Sequence, residues 1–381
     1  MRSRSASLAD RRDADAELDR HSNSHLQHDW GIRLAHVRGM FIPASSPHLL
    51  PRTRLDGRRL LVCLDRSLFA EACIPYAVLL ANTFGSAVTL AHVMQPPPER
   101  DGPQTSDALG WEISRQEARG YLERLARQVS DTLGRVVDIR LEQGRAAERI
   151  LDLALELKAD VTLLGSRGQG DGPAWNLGGT VQQVLAAART SVFVAHSAPG
   201  VPSAPTPQRI LVPLDGSLRT ESVLPAVARI ASANGAEVLL VHVVHEPLQT
   251  ALLSAPEDLR LAQTLAARLE SNALRYLEDL GHKMATDVRS VRTIVRRDAN
   301  EHHGLLEISE REHADLIVLS AHGSGCDSAR SFGSITTYLL THSSAPLLVL
   351  QDLRQNDLHL GQDPEAQQAP PSPRASATGN A

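Results

Sequence analysis

The chain has 381 residues, enough for two to three domains at roughly 150 residues each. Its net charge of −5 is small and mixed in sign, which argues against nucleic acid or an anionic membrane as partner. Aromatic residues make up only 3%, so the core must be aliphatic, and no apolar run reaches the ~18 residues of a membrane span.

Residues 1–56 are rich in Arg, Asp, Ser, His and Pro and sustain no period of 2 or 3.6, so a disordered N-terminal extension is expected. Its arginines Arg2, Arg4, Arg11 and Arg12 precede no apolar stretch, which excludes a secretory signal. Its histidines (His21, His25, His28, His36, His48) are irregularly spaced and fit a solvated tail better than a metal site. A first domain is expected over 57–197. Its aliphatic runs at 58–65, 87–94, 135–142, 160–164 and 191–195 read as strands, and 68–84, 110–133, 146–158 and 180–189 read as helices. Residues 198–207 carry Pro199, Pro202, Pro205 and Pro207 and form a linker. A second domain follows over 208–352. The Gln-, Pro- and Ser-rich residues 353–381 are expected to be a disordered tail.

The second domain repeats the first. RLLVCLDRS (59–67) returns as RILVPLDGS (209–217), and AVTLAHVM (87–94) as EVLLVHVV (237–244). The offset is 150 at Asp65/Asp215 and His92/His242, and 155 at Gly168/Gly323 and Gly178/Gly333. A constant offset with one small insertion is an internal duplication. Strands that alternate with helices and are aliphatic throughout predict parallel sheets covered on both faces. The copies part at 288–304, where Ala299 replaces Gly144 and the Arg-rich stretch Val291 to Arg297 reads as a solvated face or strand edge.

Each copy carries a strand, a glycine-rich loop and a helix start. In DVTLLGSRGQGDGPAWNLGGT (160–180), Gly165-x-x-Gly168 is followed nine residues later by Gly178-Gly179. In DLIVLSAHGSGCDSARSFGS (315–334), Ser320-x-x-Gly323 is followed by Gly333-Ser334. Such a junction suits an anion, because backbone N–H groups and the helix dipole favour negative charge and glycine lets a phosphate approach. Ligands of doubly wound sheets bind outside the strand ends where the order reverses, so the first and fourth strands should flank the site. Asp65 and Asp215 end the first strands. There a carboxylate can accept from ribose hydroxyls or an adenine amino group, or simply sit at a helix N-terminus. Both features together, twice, predict two nucleotide sites.

The motif set resembles the universal stress protein family: Val212-Pro213-Leu214-Asp215, Ser320-Ala321-His322-Gly323 and Gly333-Ser334, with Val62-Cys63-Leu64-Asp65, Gly165-Ser166-Arg167-Gly168 and Gly178-Gly179 in the first copy. The resemblance implies two tandem α/β domains, each a five-stranded parallel sheet of order 3-2-1-4-5 with helices on both faces. It implies that they bind ATP, with Mg as companion ion, and that Val93 and Val243 lie against adenine. It also implies an intramolecular pseudo-dimer packed through the fifth strands, Val192–Ala195 and Leu347–Leu350, with homo-oligomers as a further option. The function implied is that of a cytoplasmic, nucleotide-dependent stress-response module read by an unidentified protein partner.

Departures from the family pattern distinguish the copies. Ser320 stands where the first glycine belongs. Gly179 stands where a hydroxyl should meet phosphate, although Thr180 is adjacent. Asp171 would repel a phosphate if it pointed inward and Arg330 could pair with one, so the second site is expected to take the triphosphate and the first to bind more weakly or to take AMP or ADP. No G-x-x-x-x-G-K-[ST] motif and no kinase-like acid–lysine–magnesium set is present. A slow ATPase or phosphotransferase is the enzymatic alternative, and a scaffold with vestigial pockets the other. His92 and His242 are expected to pack or hydrogen-bond, His302 and His303 to be solvated, Cys63 to be a small buried hydrophobe, and Cys326 to be a passive thiol in the loop. Three cysteines without paired spacing fit a reducing compartment.

Overall fold

The computed structural model describes residues 59–95, 108–168, 177–196, 206–245, 256–325 and 330–351, together with a short strand at 33–37. That strand, β1 (Arg33–Val37), falls inside the stretch expected to be disordered. The described residues of both repeats belong to one compact unit. His21, His25, His28, His48, Asp171, Cys326, most of the linker and the C-terminal tail lie outside the described residues.

The first repeat runs β2 (Arg59–Leu64), α1 (Leu68–Glu71), α2 (Cys73–Phe84), β3 (Ala87–Met94), α3 (Ala108–Leu133), β4 (Asp138–Gln143), α4 (Ala146–Glu156), β5 (Val161–Gly165), α5 (Gly179–Ala187) and β6 (Ser191–Ala195). The second runs β7 (Arg209–Pro213), α6 (Leu218–Glu221), α7 (Leu224–Asn234), β8 (Glu237–His245), α8 (Pro256–Met284), β9 (Ser290–Asp298), α9 (Glu301–Arg311), β10 (Leu316–Ser320), α10 (Ser334–His342) and β11 (Leu347–Leu350). Strand order is β4-β3-β2-β5-β6 in one half and β9-β8-β7-β10-β11 in the other, with β1 beyond β9. Both halves therefore have the predicted 3-2-1-4-5 order, and neighbouring strands of these five pair parallel in each half. The sheets are not separate. β6 and β11 pair antiparallel, Leu347 opposite Val194 and Leu348 opposite Phe193, so one sheet runs through both halves. Phe193 and Leu348 are buried at the join, and Tyr76 packs on Phe193 with ring centroids 4.8 Å apart. Burying side chains of this size stabilises by about 1.5–3 kcal/mol each.

Right-handed crossovers that leave the centre in opposite directions put helices on both faces. α2 packs on α3 and α4 on α5. The two repeats also meet through α2 and α7. Arg229 donates to the Thr83 carbonyl at 3.2 Å and lies 4.5 Å over the Phe84 ring, at the end of α2.

The helix expected over 68–84 is broken at Ala72. Pro75 has no N–H for the Glu71 carbonyl, and its ring crowds that oxygen. Pro225 stands in the same relation to Glu221, and α6 ends there too. What remains is a one-turn helix capped by Ser67 or Ser217, whose hydroxyls accept from the N–H of Ala70 and Thr220. The third strand starts at Asp138 rather than 135, because Val136 is left 85% exposed.

Of the two expectations for the Arg-rich stretch, strand edge and solvated face, the structure agrees with the first. It forms β9, the outer of the five strands of its half, paired with β8 along all nine residues, and its arginines are ion-paired rather than solvated. Arg292 pairs with Glu312, and Arg297 with Glu270. Arg296 reaches Asp298 at 3.0 Å and Glu307 at 2.7 Å, with its side chain 11% exposed.

Candidate functional site

The strand order reverses between β2 and β5 in the first half and between β7 and β10 in the second. A cavity of about 450 Å³ opens beyond the first pair and one of about 640 Å³ beyond the second. The strand-end acids, the valines and the glycine-loop residues of both repeats lie on these walls. The first is lined by Asp65, Val93, Gly165, Gly168, Gly178, Gly179 and Thr180. The second is lined by Pro213, Asp215, Val243, Ser320, Gly323, Gly333 and Ser334.

The loop is anchored identically in both halves. Ser166 N–H donates to the Ala195 carbonyl at 2.8 Å, and Gly178 N–H returns to the Ser166 carbonyl at 2.9 Å. Ala321 N–H donates to Leu350 at 2.8 Å, and Gly333 N–H to Ala321 at 2.8 Å. The helix-start glycines thus use their N–H groups internally. What faces the cavity is the first turn of α5 or α10, whose leading N–H groups lack intrahelical partners.

The glycines serve different ends. A Cβ on Gly165 would lie 2.6 Å from the Phe69 carbonyl and 2.8 Å from Ala70 Cα, so that glycine lets α1 sit against β5. A Cβ on Gly323 would collide with Asp215 Oδ2. At Gly333 the nearest atoms to a Cβ would be 3.6 Å away, and at Gly179 nothing lies within 4 Å. Neither of the latter has a positive φ, so the fold itself does not require glycine there. Ser320 is accommodated by turning inward: its hydroxyl donates to the His322 carbonyl at 2.5 Å, and Thr336 Oγ1 donates to the Ser320 carbonyl at 3.0 Å.

Asp215 does more than cap a helix. Its Oδ1 accepts from Ser217 N–H at 2.9 Å and Thr220 Oγ1 at 2.8 Å. Its Oδ2 accepts from Ser324 N–H at 2.6 Å, which fastens the glycine loop to the strand end. Burial opposes its charge, but the donors Ser217, Ser324 and Thr220 outweigh burial and hold the carboxyl down to about 2. Asp65 makes the matching local contacts, Oδ1 accepting from Ser67 N–H at 2.9 Å and Ser67 Oγ at 2.5 Å.

His92 and His242 hydrogen-bond as expected, Nδ1 donating to the Leu64 and Leu214 carbonyls at 2.7 Å in each half. That fixes each ring at its cavity wall. Cys63 is buried, and burial pushes its thiol up to about 12. Arg167 lines the first cavity, whereas Arg330 is not among the residues lining the second. His303 is exposed as expected, near Asp298 and Glu307, whose carboxylates the Arg296 guanidinium already pairs with. His302 is half-buried, its ring 5.4 Å from that of Tyr338.

Two features were missed from the sequence. Tyr121 donates to Glu71 and Tyr276 to Glu221, both at 2.9 Å, tying the long helix of each half to the one-turn helix beside the site. Their near-constant offset in the duplication was the available signal. The second was the α8 wall of the second cavity, with Leu269, Asn272 and Tyr276.

Comparison with known proteins agrees with this architecture. The sequence pattern of the Universal stress protein family matches residues 57–196 and 206–351. A universal stress protein of Mycolicibacterium smegmatis is 26% identical over 305 residues, covering 77% of this chain and 96% of its own length. One from Mycobacterium tuberculosis strain H37Rv is 24% identical over 302 residues, covering 76% and 95%. Among solved structures, a universal stress protein from Archaeoglobus fulgidus superposes with a TM-score of 0.54 at 18% identity, covering 77% of this chain and 98% of that one. A Pseudomonas aeruginosa protein gives 0.52 at 14%, covering 77% and 92%. With two family matches spanning most of the described residues, and a duplicated sheet of the order its motifs imply, the chain belongs to the universal stress protein family as a tandem member.

Proposed function

We propose that the protein binds adenine nucleotides in both halves and acts in the cytoplasm as a stress-response module whose occupancy is read by a protein partner. The observation that carries this is the convergence, twice, of a strand-end carboxylate, a glycine loop and a helix start on one cavity at the reversal of strand order. Volumes of about 450 and 640 Å³ suit a small-molecule ligand. Val93 and Val243 offer an apolar wall for the base, and the lack of a side chain at Gly179, which borders open space, and at Gly333 leaves room for phosphate at the helix N-termini. The cytoplasmic assignment rests on the free thiols of Cys63 and Cys73.

The test is mass spectrometry of small molecules released when purified full-length protein is denatured, with thermal melting in added ATP, ADP and AMP. An adenine nucleotide in the released fraction, or a melting point raised by one of the three, supports the proposal. Neither result leaves the cavities vestigial and the proposal wrong.

A further inference from the structure

The two cavities repeat one design, but their walls differ in charge. Building on the nucleotide proposal above, we propose that they divide the ligands: the first takes an adenosine di- or triphosphate, the second an adenine nucleotide with a single phosphate. This reverses the preference expected from the loop sequences, where Arg330 and Asp171 favoured the second site for the triphosphate.

In the first cavity Arg167 stands on the wall between Gly165 and Gly168, with its guanidinium 5.9 Å over the Phe69 ring. Among the described residues, Asp65 is the one acid that lines it, with Asp171 of the same loop outside them. The phosphate loop of the first half thus carries a cation of its own. At the matching position the second half has His322, which is 8% exposed and whose Nε2 donates to the Arg330 carbonyl at 2.9 Å. That ring is committed to its own loop. The first turn of α9 then adds Glu301 to the second cavity, where α4 of the first half supplies Ala146. Among the described residues, two carboxylates, Asp215 and Glu301, and no Lys or Arg line the second cavity.

Volume alone would give the larger ligand to the second site, which is the roomier by 640 to 450 Å³. Its extra room, however, is walled by Leu269, Ala273 and Tyr276 of α8, an apolar surface that suits a base or ribose edge rather than a phosphate chain. Like charge facing a polyphosphate across a partly closed cavity is weakly screened and disfavours the most anionic ligand most. An arginine on the loop does the reverse.

Calorimetric titration of nucleotide-stripped full-length protein with ATP and with AMP tests the division, repeated on Arg167→Gln and Glu301→Gln. Arg167→Gln should weaken ATP binding about tenfold at one site and leave the AMP site unchanged. Glu301→Gln should leave the strong ATP site alone and tighten ATP at the other site, again about tenfold. The glutamate variant stands as an independent arm if the arginine variant does not fold. Equal ATP affinities at both sites, with both variants silent, would overturn the division and leave nucleotide binding intact. No heat with any adenine nucleotide would instead remove nucleotide binding itself, and the division with it.

Discussion

Asp215 and Ser324 are 109 residues apart in sequence and share a 2.6 Å hydrogen bond, so the first strand of the second half holds the loop that follows the fourth. The acid at the strand end is therefore a clasp for the loop as well as a candidate contact for a ligand. With Ser217 and Thr220 occupying Oδ1, the lone pair left on Oδ2 beside Ser324 is what a ribose or base could use.

We predict that Asp215→Asn opens this clasp. An amide can keep its carbonyl toward Ser217 and Thr220, but its NH₂ then meets the Ser324 N–H, donor against donor. The expected cost is about 1–3 kcal/mol of stability with faster amide exchange at Ser324. Urea denaturation and hydrogen–deuterium exchange read both. Unchanged exchange at Ser324 would show that the contact does not hold the loop.

Substituting the glycines should separate fold from ligand. Gly165→Ala places a Cβ 2.6 Å from the backbone of α1, which must move, at a cost of roughly 1–3 kcal/mol. Gly333→Ala has ordinary contacts at 3.6 Å and a φ of −69°, so the melting point should hardly move while nucleotide affinity at that site falls. If Gly333→Ala binds nucleotide as well as the parent chain, phosphate does not approach there.

Acid should weaken the first half through His196. Burial, and then the charge of Arg167, lower its imidazole from 6.5 to about 4. The folded state thus binds fewer protons than the unfolded chain between those values. The stability this group contributes is complete above pH 6.5 and is lost as pH falls through 4, up to about 3 kcal/mol. Asp215 adds a second loss lower down, between its ordinary 3.8 and about 2. Urea midpoints at pH 7 and pH 4.5 should differ less in His196→Gln than in the parent chain. An identical difference would mean His196 is solvated.

The join between halves should be intolerant of charge. Leu348 is fully buried opposite Phe193 in the antiparallel pair. Leu348→Asp puts a carboxylate among aliphatic side chains with no partner, and more than about 4 kcal/mol of stability should be lost. Small-angle scattering of that variant should show an expanded particle. A compact particle with unchanged melting would mean the halves are held mainly by α2 and α7.

The sheet was legible because each repeat writes its strands as aliphatic runs and marks its order with the glycine loop and strand-end acid. Even the join at β6 and β11 followed from the family resemblance. The partners of β9 were not legible: Glu237, Glu270, Glu307 and Glu312, which pair with its arginines, come from a neighbouring strand and two helices, and spacing along β9 says nothing of them. Nor could the sequence sort the glycines. Gly165 and Gly333 look alike in the motif, and only the position of the α1 backbone beside β5 shows that one serves packing. The same holds for charge on the walls, since Glu301 enters the second cavity from a helix that follows a different strand.

The most direct test of the central claim is a crystal structure of the full chain grown with ATP and Mg. Phosphate density is expected against the first turn of α5 beside Gly168 and Gly179, with the adenine near Val93 and the ribose toward Asp65. Nucleotide density elsewhere on the protein, with both cavities filled only by water, would contradict it.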